Sequence, residues 1–274
     1  MENRKIKNVL IVVPARLNSS RLPNKVLADI GGKPMLHRVL EQCKKAIKPS
    51  KIFLCTDSKK LSLIAKKLSI KYLLTSESCD SGTDRIASVL DKLLEILWSG
   101  SIKNNFKNIN DLKKRTLIIN VQGDQPFIDP QVIKQMCSSF YSYSELPEIL
   151  TPIFKFKKEY IHNPAVVKAL INQNCEAIYF SRSALPYVRD ENKDKWHINH
   201  DYWGHVGIYG FRADILSNWK KLPFSTLESS EKLEQLRFID SGIKISTFKV
   251  NGAFLSIDTR EQLEKARVMA KHFY

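Results

Sequence analysis

Short apolar runs alternate with amphipathic stretches along most of the chain. The continuous run Val9–Val13 is typical of a strand covered on both faces, as in a parallel sheet. Comparable runs lie at 51–57, 70–75, 116–121 and 253–258. Apolar residues recur at helical spacing in 34–45, 60–68, 86–97 and 260–271. This alternation predicts a three-layer α/β domain over 1–274, with a mostly parallel central sheet and right-handed crossovers.

Two segments interrupt the alternation. Residues 99–115 are polar, rich in Asn and basic, which predicts a surface loop extension. Residues 151–204 combine short predicted strands with a polar loop at 190–199. We interpret 151–204 as an inserted arm whose polar loop is mobile until a ligand binds.

Composition narrows the class of protein. An apolar fraction of 43 % over 274 residues is ordinary for a globular protein, and no apolar run is long enough to span a membrane. The five cysteines include no Cys-x-x-Cys pair, which favours reduced thiols and argues against a zinc site. We therefore expect a cytoplasmic protein without membrane insertion.

The net charge of +16 raises the alternative of a basic nucleic-acid-binding protein. Its lysines, however, are dispersed along the chain and form no stripe interleaved with aromatic residues. This dispersion favours a protein without a nucleic-acid partner, in which the charge helps to attract anionic substrates.

A basic loop follows the first apolar run. Its three cations, Arg16, Arg21 and Lys25, lie between Pro14 and the end of the loop. Open α/β sheets bind ligands at the carboxyl ends of their strands, and fixed cations there suit a triphosphate. The glycine spacing at Gly31 and Gly32 fits no P-loop or dinucleotide fingerprint. The alternative is an ordinary solvated surface loop.

A second candidate ligand contact is the turn Ser81-Gly82-Thr83 before a predicted helix. Glycine permits a close backbone approach, and hydroxyl groups at a helix start suit either a ligand or a helix cap. The local pattern leaves both interpretations open.

Two acidic residues end predicted strands. Asp124 follows Gly123 after the run 116–121, and Asp258 ends the run 253–258. Carboxylates brought to one sheet edge beside a cationic loop would hold Mg²⁺ together with substrate phosphates. Alternatively, Asp124 lies in an ordinary turn, and Asp258 caps the following helix in a capping box with Glu261.

These motifs together resemble the sugar-activating cytidylyltransferases, above all the 3-deoxy-manno-octulosonate (Kdo) cytidylyltransferase family. The resemblance rests on the segments 14–25, 81–85 and 120–124, and it continues through 163–168, 179–182, 205–210 and 233–237 in the family's order. It covers nearly the whole chain. Departures from the family pattern are Gln125, where Glu is usual, Ser256-Ile257 before Asp258, and the 99–115 extension.

The resemblance implies roles for individual residues. Nucleotide contacts fall to Pro14, Ala15, Arg16, Arg21, Lys25, Ser81, Gly82, Thr83, Arg85 and Gln122. Acid-sugar contacts fall to Arg182, Arg189, His205, Tyr209, Glu234 and Gln235. Asp124 and Asp258 would bind Mg²⁺ and share the catalytic role with Arg16 and Lys25.

The implied reaction joins CTP and Kdo into CMP-Kdo and pyrophosphate for lipopolysaccharide synthesis. The resemblance also implies a nucleotide-diphospho-sugar transferase-like fold and a homodimer formed through the 151–204 arm, which would line the sugar site as well. Because Gln125 and the approach to Asp258 depart from the family, 8-amino-Kdo or another nonulosonate remains an alternative substrate.

Overall fold

The computed structural model describes residues 8–19, 22–99, 108–252 and 256–274. Within them the strands are β1 (Asn8–Ala15), β2 (Asp29–Ile30), β3 (Lys33–Pro34), β4 (Ile52–Thr56), β5 (Lys71–Leu74), β6 (Thr116–Asn120), β7 (Ile149–Lys155), β8 (Lys168–Ile171), β9 (Ala177–Ser181), β10 (Trp203–His205), β11 (Tyr209–Arg212) and β12 (Ile245–Lys249). The helices are α1 (Met35–Ala46), α2 (Lys59–Lys67), α3 (Gly82–Ala87), α4 (Leu90–Trp98), α5 (Ile109–Lys114), α6 (Pro130–Phe140), α7 (Trp196–Asn199), α8 (Ala213–Ser217), α9 (Thr226–Glu231), α10 (Gln235–Asp240) and α11 (Arg260–Phe273). Arg21, residues 100–107 of the predicted 99–115 extension and the predicted strand residues 253–255 lie outside the described residues. The prediction of a loop is wrong for 109–114, which form α5 with Leu112 buried. Residues 256–258 of the predicted strand 253–258 are not in a strand.

Ten strands form the central sheet, in the order β5-β4-β1-β6-β11-β7-β10-β8-β9, with β12 paired to β7. The first four strands in this order are parallel to one another. Beyond β6 the pairs are antiparallel, except that β12 runs parallel to β7. The predicted parallel core is confirmed, and an antiparallel half extends it.

The segment 151–204 begins and ends inside this sheet, since β7 and β10 pair with each other. Strands β8 and β9 continue the sheet to its edge. Tyr187 and Ile198, on the connection between β9 and β10, are exposed. The assignment of this segment as an inserted dimerisation arm stays a prediction.

Helices cover both faces of the sheet. Alternate residues of β1 point to opposite sides: Ile11 packs with α1, α2 and α6, whereas Leu10 and Val12 pack with α3, α4 and α10. The strand is therefore buried on both faces, as its continuous apolar sequence predicts. A smaller apolar cluster joins α11 to Met35 and Phe127. The three-layer prediction is confirmed.

The sequence predicts one helix over 86–97, but the structure has two helices in this region, α3 and α4. α3 begins at Gly82 because the Ser81 side chain accepts a hydrogen bond from the Asp84 N–H. It ends near Ser88, whose hydroxyl donates to the Arg85 carbonyl at 2.8 Å and so competes with the helical hydrogen bonds. Across the described ranges, no helix combines the length and hydropathy that crossing a bilayer requires.

Candidate active site

Lys25 lies between the two predicted metal ligands. Its Nζ is 2.6 Å from Asp124 Oδ2 and 2.9 Å from Asp258 Oδ1. Burial alone would lower the pKa of Lys25, but the charges and hydrogen bonds of the two carboxylates together raise it above its ordinary value. The ammonium therefore stays protonated at neutral pH. The predicted convergence of the basic loop, Asp124 and Asp258 is present in the fold.

Backbone contacts hold Asp258 in this position. The Ile257 N–H donates to the Asp124 carbonyl at 3.1 Å, which ties the two acidic segments together. Thr259 is the N-cap of α11, and Gln262 completes the capping box and also accepts from the Asp258 N–H at 2.7 Å. The alternative in which Asp258 caps the helix with Glu261 is therefore wrong. Because Thr259 takes that role, the Asp258 carboxylate reaches Lys25.

The same two carboxylates, from here on the carboxylate pair, fit a magnesium ion. One cationic group already lies within 2.9 Å of an oxygen of each, so a single cation can bridge them. Carboxylate oxygens are the ligands that Mg²⁺ prefers, usually together with phosphates and water. Within the described ranges no group of three or more His, Cys, Asp or Glu side chains could hold a metal. Further ligands would come from substrate phosphates and water.

The predicted nucleotide residues meet at the end of β1. A Cβ placed on Gly82 would lie 3.1 Å from Pro14 Cγ and 3.1 Å from Gln122 Oε1. One placed on Gly123 would lie 3.2 Å from the Pro14 carbonyl oxygen and 3.4 Å from Ala15 Cβ. A side chain at either position would crowd these neighbours, and glycine permits the close approach. The end of β1, the start of α3 and the segment after β6 therefore form one surface.

Arg16 is exposed next to this surface. It lines a cavity of about 380 Å³ with Asn18, Ser19, Pro23 and Asn24. An exposed guanidinium beside a cavity of this size suits an anionic ligand. The predicted partner Arg21 lies outside the described residues.

Side chains of the 81–85 turn have defined internal partners. Ser81 caps α3, so the helix-cap interpretation is confirmed for its side chain. Thr83 is buried and its hydroxyl donates to the Glu234 carboxylate. Arg85 is buried, and its Nη2 donates to Asp57 Oδ2 at 2.9 Å. The role of this turn in nucleotide binding stays a prediction.

Four predicted sugar residues lie together, and we call His205, Tyr209, Glu234 and Gln235 the polar cluster. The rings of His205 and Tyr209 are 5.2 Å apart between centroids. Burial, and then the charge of Glu234, raise the pKa of Tyr209 well above its ordinary value. Burial also raises the pKa of Glu234, against hydrogen bonds from Ser81 and Thr83. These contacts connect the polar cluster to the start of α3.

Several buried polar atoms of this region have no hydrogen-bond partner among the described residues. They are His205 Nε2, Tyr209 OH, Gln235 Nε2, Gln125 Oε1, and both polar side-chain atoms of Asn120. Unpaired buried polar atoms are rare in folded proteins and need an explanation. Sequence reasoning missed Asn120. The sequence feature that could have identified it is a polar residue inside the otherwise apolar run 117–121.

The guanidinium groups of the two predicted sugar arginines bond to residues outside the polar cluster. Arg182 donates from Nε to the Glu231 carbonyl at 2.9 Å and from Nη1 to the Pro164 carbonyl at 3.1 Å. Arg189 is exposed, with Nε 3.4 Å from Asp190 Oδ2. Among the described residues, neither guanidinium forms a hydrogen bond with His205. Their sugar contacts stay predictions.

A buried lysine, Lys168, joins the segments around Arg182. Its Nζ donates to the carbonyls of Asn163 at 2.6 Å, Val166 at 2.9 Å and Arg182 at 2.7 Å. Three carbonyl acceptors match the three donors of an ammonium group. Lys168 therefore fastens the end of β9, which carries Phe180, against the turn before β8. Phe180 in turn packs against His205, with ring centroids 5.0 Å apart.

The pH dependence of stability is expected to report on His205. Burial lowers the pKa of His205 from 6.5 to about 3. The unfolded state therefore takes up a proton between these values while the folded state does not. This contribution to stability is complete above pH 6.5 and is lost as the pH falls toward 3. In His205→Gln the free energy of unfolding should fall less steeply as the pH is lowered. Between pH 6.5 and 4 the variant should lose less of it than the wild type, by at most about 3 kcal/mol.

Urea unfolding of both proteins at several pH values, followed by circular dichroism, measures this difference. At pH 8 the pair serves as the reference, because His205 is neutral in the folded and unfolded states there. Equal slopes for the two proteins below pH 6.5 would contradict a His205 ring that stays neutral in the folded protein.

Comparison with known proteins agrees with this geometry. A family model described as cytidylyltransferase matches residues 10–245. A 3-deoxy-manno-octulosonate cytidylyltransferase of Chloroherpeton thalassium is 38 % identical over 96 % of this chain and 98 % of its own length. One of Francisella tularensis is 38 % identical over 95 % of this chain and 97 % of its own.

The fold comparison points the same way. A CMP:2-keto-3-deoxy-manno-octonic acid synthetase solved in complex with CTP superposes with a TM-score of 0.81. It is 32 % identical, over 97 % of this chain and 99 % of that one. The chain therefore belongs to the cytidylyltransferase family, among the 3-deoxy-manno-octulosonate cytidylyltransferases.

Proposed function

We propose that this protein transfers the cytidylyl group of CTP to Kdo, with Mg²⁺, and releases CMP-Kdo and pyrophosphate. The observation that carries the proposal is the convergence of Lys25, Asp124 and Asp258 within 2.9 Å at the sheet edge. Family membership and the neighbouring polar cluster support it. The related synthetase was solved with CTP, which supports CTP as the nucleotide here.

In this proposal the basic loop binds the triphosphate. Lys25 and the exposed Arg16 contact phosphate oxygens, while the surface formed by Pro14, Gly82 and Gln122 accepts the nucleoside. The carboxylate pair would hold Mg²⁺, which supplies positive charge against the charge that builds up on the phosphates. Binding both substrates in one orientation lowers the barrier further, since the reaction becomes effectively unimolecular.

The chemical step is a displacement at phosphorus. The anomeric hydroxyl oxygen of the sugar forms a bond to the α-phosphorus of CTP, and the bond from that phosphorus to the bridging oxygen breaks. Pyrophosphate leaves with the electron pair, and the hydroxyl proton passes to solvent. Lys25 stabilises the negative charge that develops on the phosphate oxygens. No covalent enzyme intermediate is required.

The polar cluster would bind the acid sugar. His205 is neutral at physiological pH, because burial holds its pKa at about 3, so its ring exchanges hydrogen bonds with hydroxyl groups without adding charge. Glu234 and Gln235 add acceptor and donor groups. Arg182 and Arg189 are the candidates for the sugar carboxylate, because guanidinium groups pair with carboxylates in two parallel hydrogen bonds.

Assembly and cellular context belong to the same proposal. The exposed Tyr187 and Ile198, at 70 % exposure each, support a homodimer contact on the 151–204 segment. The five cysteines are free thiols, which supports a reducing, cytoplasmic compartment. The product would enter lipopolysaccharide synthesis.

Pyrophosphate release tests the function directly. With CTP, Mg²⁺ and Kdo we expect turnover, and ATP or GTP in place of CTP should give far less. Parallel reactions with 8-amino-Kdo and other nonulosonates identify the preferred acid sugar. Equal turnover with a purine triphosphate would contradict the proposed base specificity. No release with any of these sugars would contradict the enzymatic proposal and favour the nucleic-acid-binding alternative.

A further inference from the structure

Asn120 is a fully buried amide whose hydrogen bonds are unaccounted for. It ends β6, its exposed fraction is 0 %, and both Oδ1 and Nδ2 lack a partner among the described residues. Burying an amide without hydrogen bonds destabilises the fold, because the group gives up its hydrogen bonds to water and gains none. An apolar residue of similar size would avoid this cost. The position therefore carries a polar group at the expense of stability.

The neighbourhood of Asn120 shows what the amide could bind. In the antiparallel pairing of β6 with β11, Asn120 lies directly opposite Tyr209. Side chains in such a pair share one face of the sheet and lie about 5 Å apart at Cβ. Tyr209 OH, His205 Nε2 and Gln235 Nε2 are likewise buried and unpartnered within the described ranges. The unpartnered amide of Asn120 thus lies next to the unpartnered donors and acceptors of the polar cluster.

The position along the chain adds a second argument. Asn120 is four residues before Asp124, and the short connection between them runs past Gln122 and Gly123. A ligand that contacts the carboxylate pair at one end and the polar cluster at the other would pass the end of β6. A sugar with several hydroxyl groups has that form, and each hydroxyl both donates and accepts. An Asn side chain offers the matching donors and acceptor.

We infer that Asn120 is a further substrate-binding residue, whose amide exchanges hydrogen bonds with a hydroxyl group of the polyhydroxylated acid sugar. This inference rests on the proposed function. Because Asn120 is fully covered, a covering side chain must move when the sugar binds.

A pair of nearly isosteric variants tests the inference. Asn120→Thr keeps a hydroxyl group that can donate and accept, whereas Asn120→Val replaces it with a methyl group, and both residues suit a strand. We expect the KM for Kdo to be about tenfold or more higher in Asn120→Val than in Asn120→Thr. The Kd for CTP from calorimetry should agree within about twofold among both variants and the wild type.

Asn8 provides the matched control. It is the first residue of β1, is 1 % exposed, and its amide is also unpartnered in the described part of the chain. It pairs with Thr116, at the opposite end of β6 from Asn120. Asn8→Val and Asn8→Thr should therefore have wild-type KM values for Kdo. The melting temperature of every variant, with and without Kdo, separates loss of folding from loss of sugar binding.

Each result decides the matter. Equal KM values for Kdo in Asn120→Val, Asn120→Thr and the wild type would overturn the inference while leaving the proposed function intact. An equal rise in the Asn8 variants would overturn it as well, because the effect would then follow from any buried amide. If the wild type releases no pyrophosphate with any acid sugar, the proposed function is wrong, and the inference about Asn120 is wrong with it. His205→Ala is the positive comparator for a specific loss of sugar binding.

Discussion

Asp124→Asn is expected to lower the turnover number about 10³-fold while leaving the fold intact. The carboxamide keeps the size of the side chain but loses the charge that attracts both Lys25 and Mg²⁺. Lys25 retains Asp258, 2.9 Å from its Nζ, so the ammonium keeps one charged partner in the variant. Pyrophosphate release across a Mg²⁺ series measures the loss, and thermal unfolding followed by circular dichroism checks the fold.

The control is Asp129→Asn in the same loop. Asp129 caps α6 by accepting from the Gln131 N–H at 2.8 Å, and Asn caps about as well. We expect wild-type turnover from this variant. Excess Mg²⁺ or Mn²⁺ should restore only part of the activity of Asp124→Asn. Full Mg²⁺-dependent turnover in that variant would contradict a site built on the carboxylate pair.

Lys25→Met is expected to change turnover and metal affinity in opposite directions. Turnover should fall about 10²-fold or more, because a charge that stabilises the phosphates is lost. Affinity for Mn²⁺ without nucleotide should rise, because the ammonium that lies 2.6 and 2.9 Å from the carboxylates no longer competes for them. Electron paramagnetic resonance of free Mn²⁺ gives the affinity, and pyrophosphate release gives the turnover.

Lys33→Met is the matched control for this second experiment. The Lys33 Nζ lies 2.7 Å from Glu41 Oε1, a carboxylate that is not part of the carboxylate pair. Removing it deletes one positive charge from the protein without touching the carboxylate pair. We expect unchanged Mn²⁺ affinity and turnover. Unchanged CTP kinetics in Lys25→Met would mean that Lys25 does not bind the triphosphate. Unchanged Mn²⁺ affinity would contradict competition between the Lys25 ammonium and the metal for the carboxylate pair.

The parallel half of the sheet could be predicted from the sequence because each of its strands leaves a strong local pattern. Ile11 and Val12 are both completely buried although they point to opposite faces, so the run 9–13 has no polar alternation. The strands of the antiparallel half leave a weaker local pattern in the sequence. β10 has three residues and β11 has four, too few for a period to show. The insertion of β11 between β6 and β7 depends on pairing across distant segments.

The candidate site divides in the same way. The convergence of Asp124 and Lys25 follows from a general rule, since the carboxyl ends of parallel strands share one edge. Contacts between distant residues do not follow from local patterns. Thr83 and Glu234 are 151 positions apart, and the Arg85 to Asp57 pair directs that guanidinium into the protein interior. Asn120 was missed because its unpaired amide becomes visible only in three dimensions.

The order of strands has a consequence for acceptor choice. Residues that we assign to the sugar, apart from Asn120, lie between 182 and 235, within the contiguous stretch 149–249 that supplies the antiparallel half of the sheet. Residues that we assign to the nucleotide and the metal lie before 125 or at 258. Exchanging 149–249 between relatives would therefore transfer all of the assigned sugar residues except Asn120 in one segment. The residues assigned to the nucleotide and the metal would remain those of the protein that receives the segment. In such a chimaera its β6 would pair with the introduced β11.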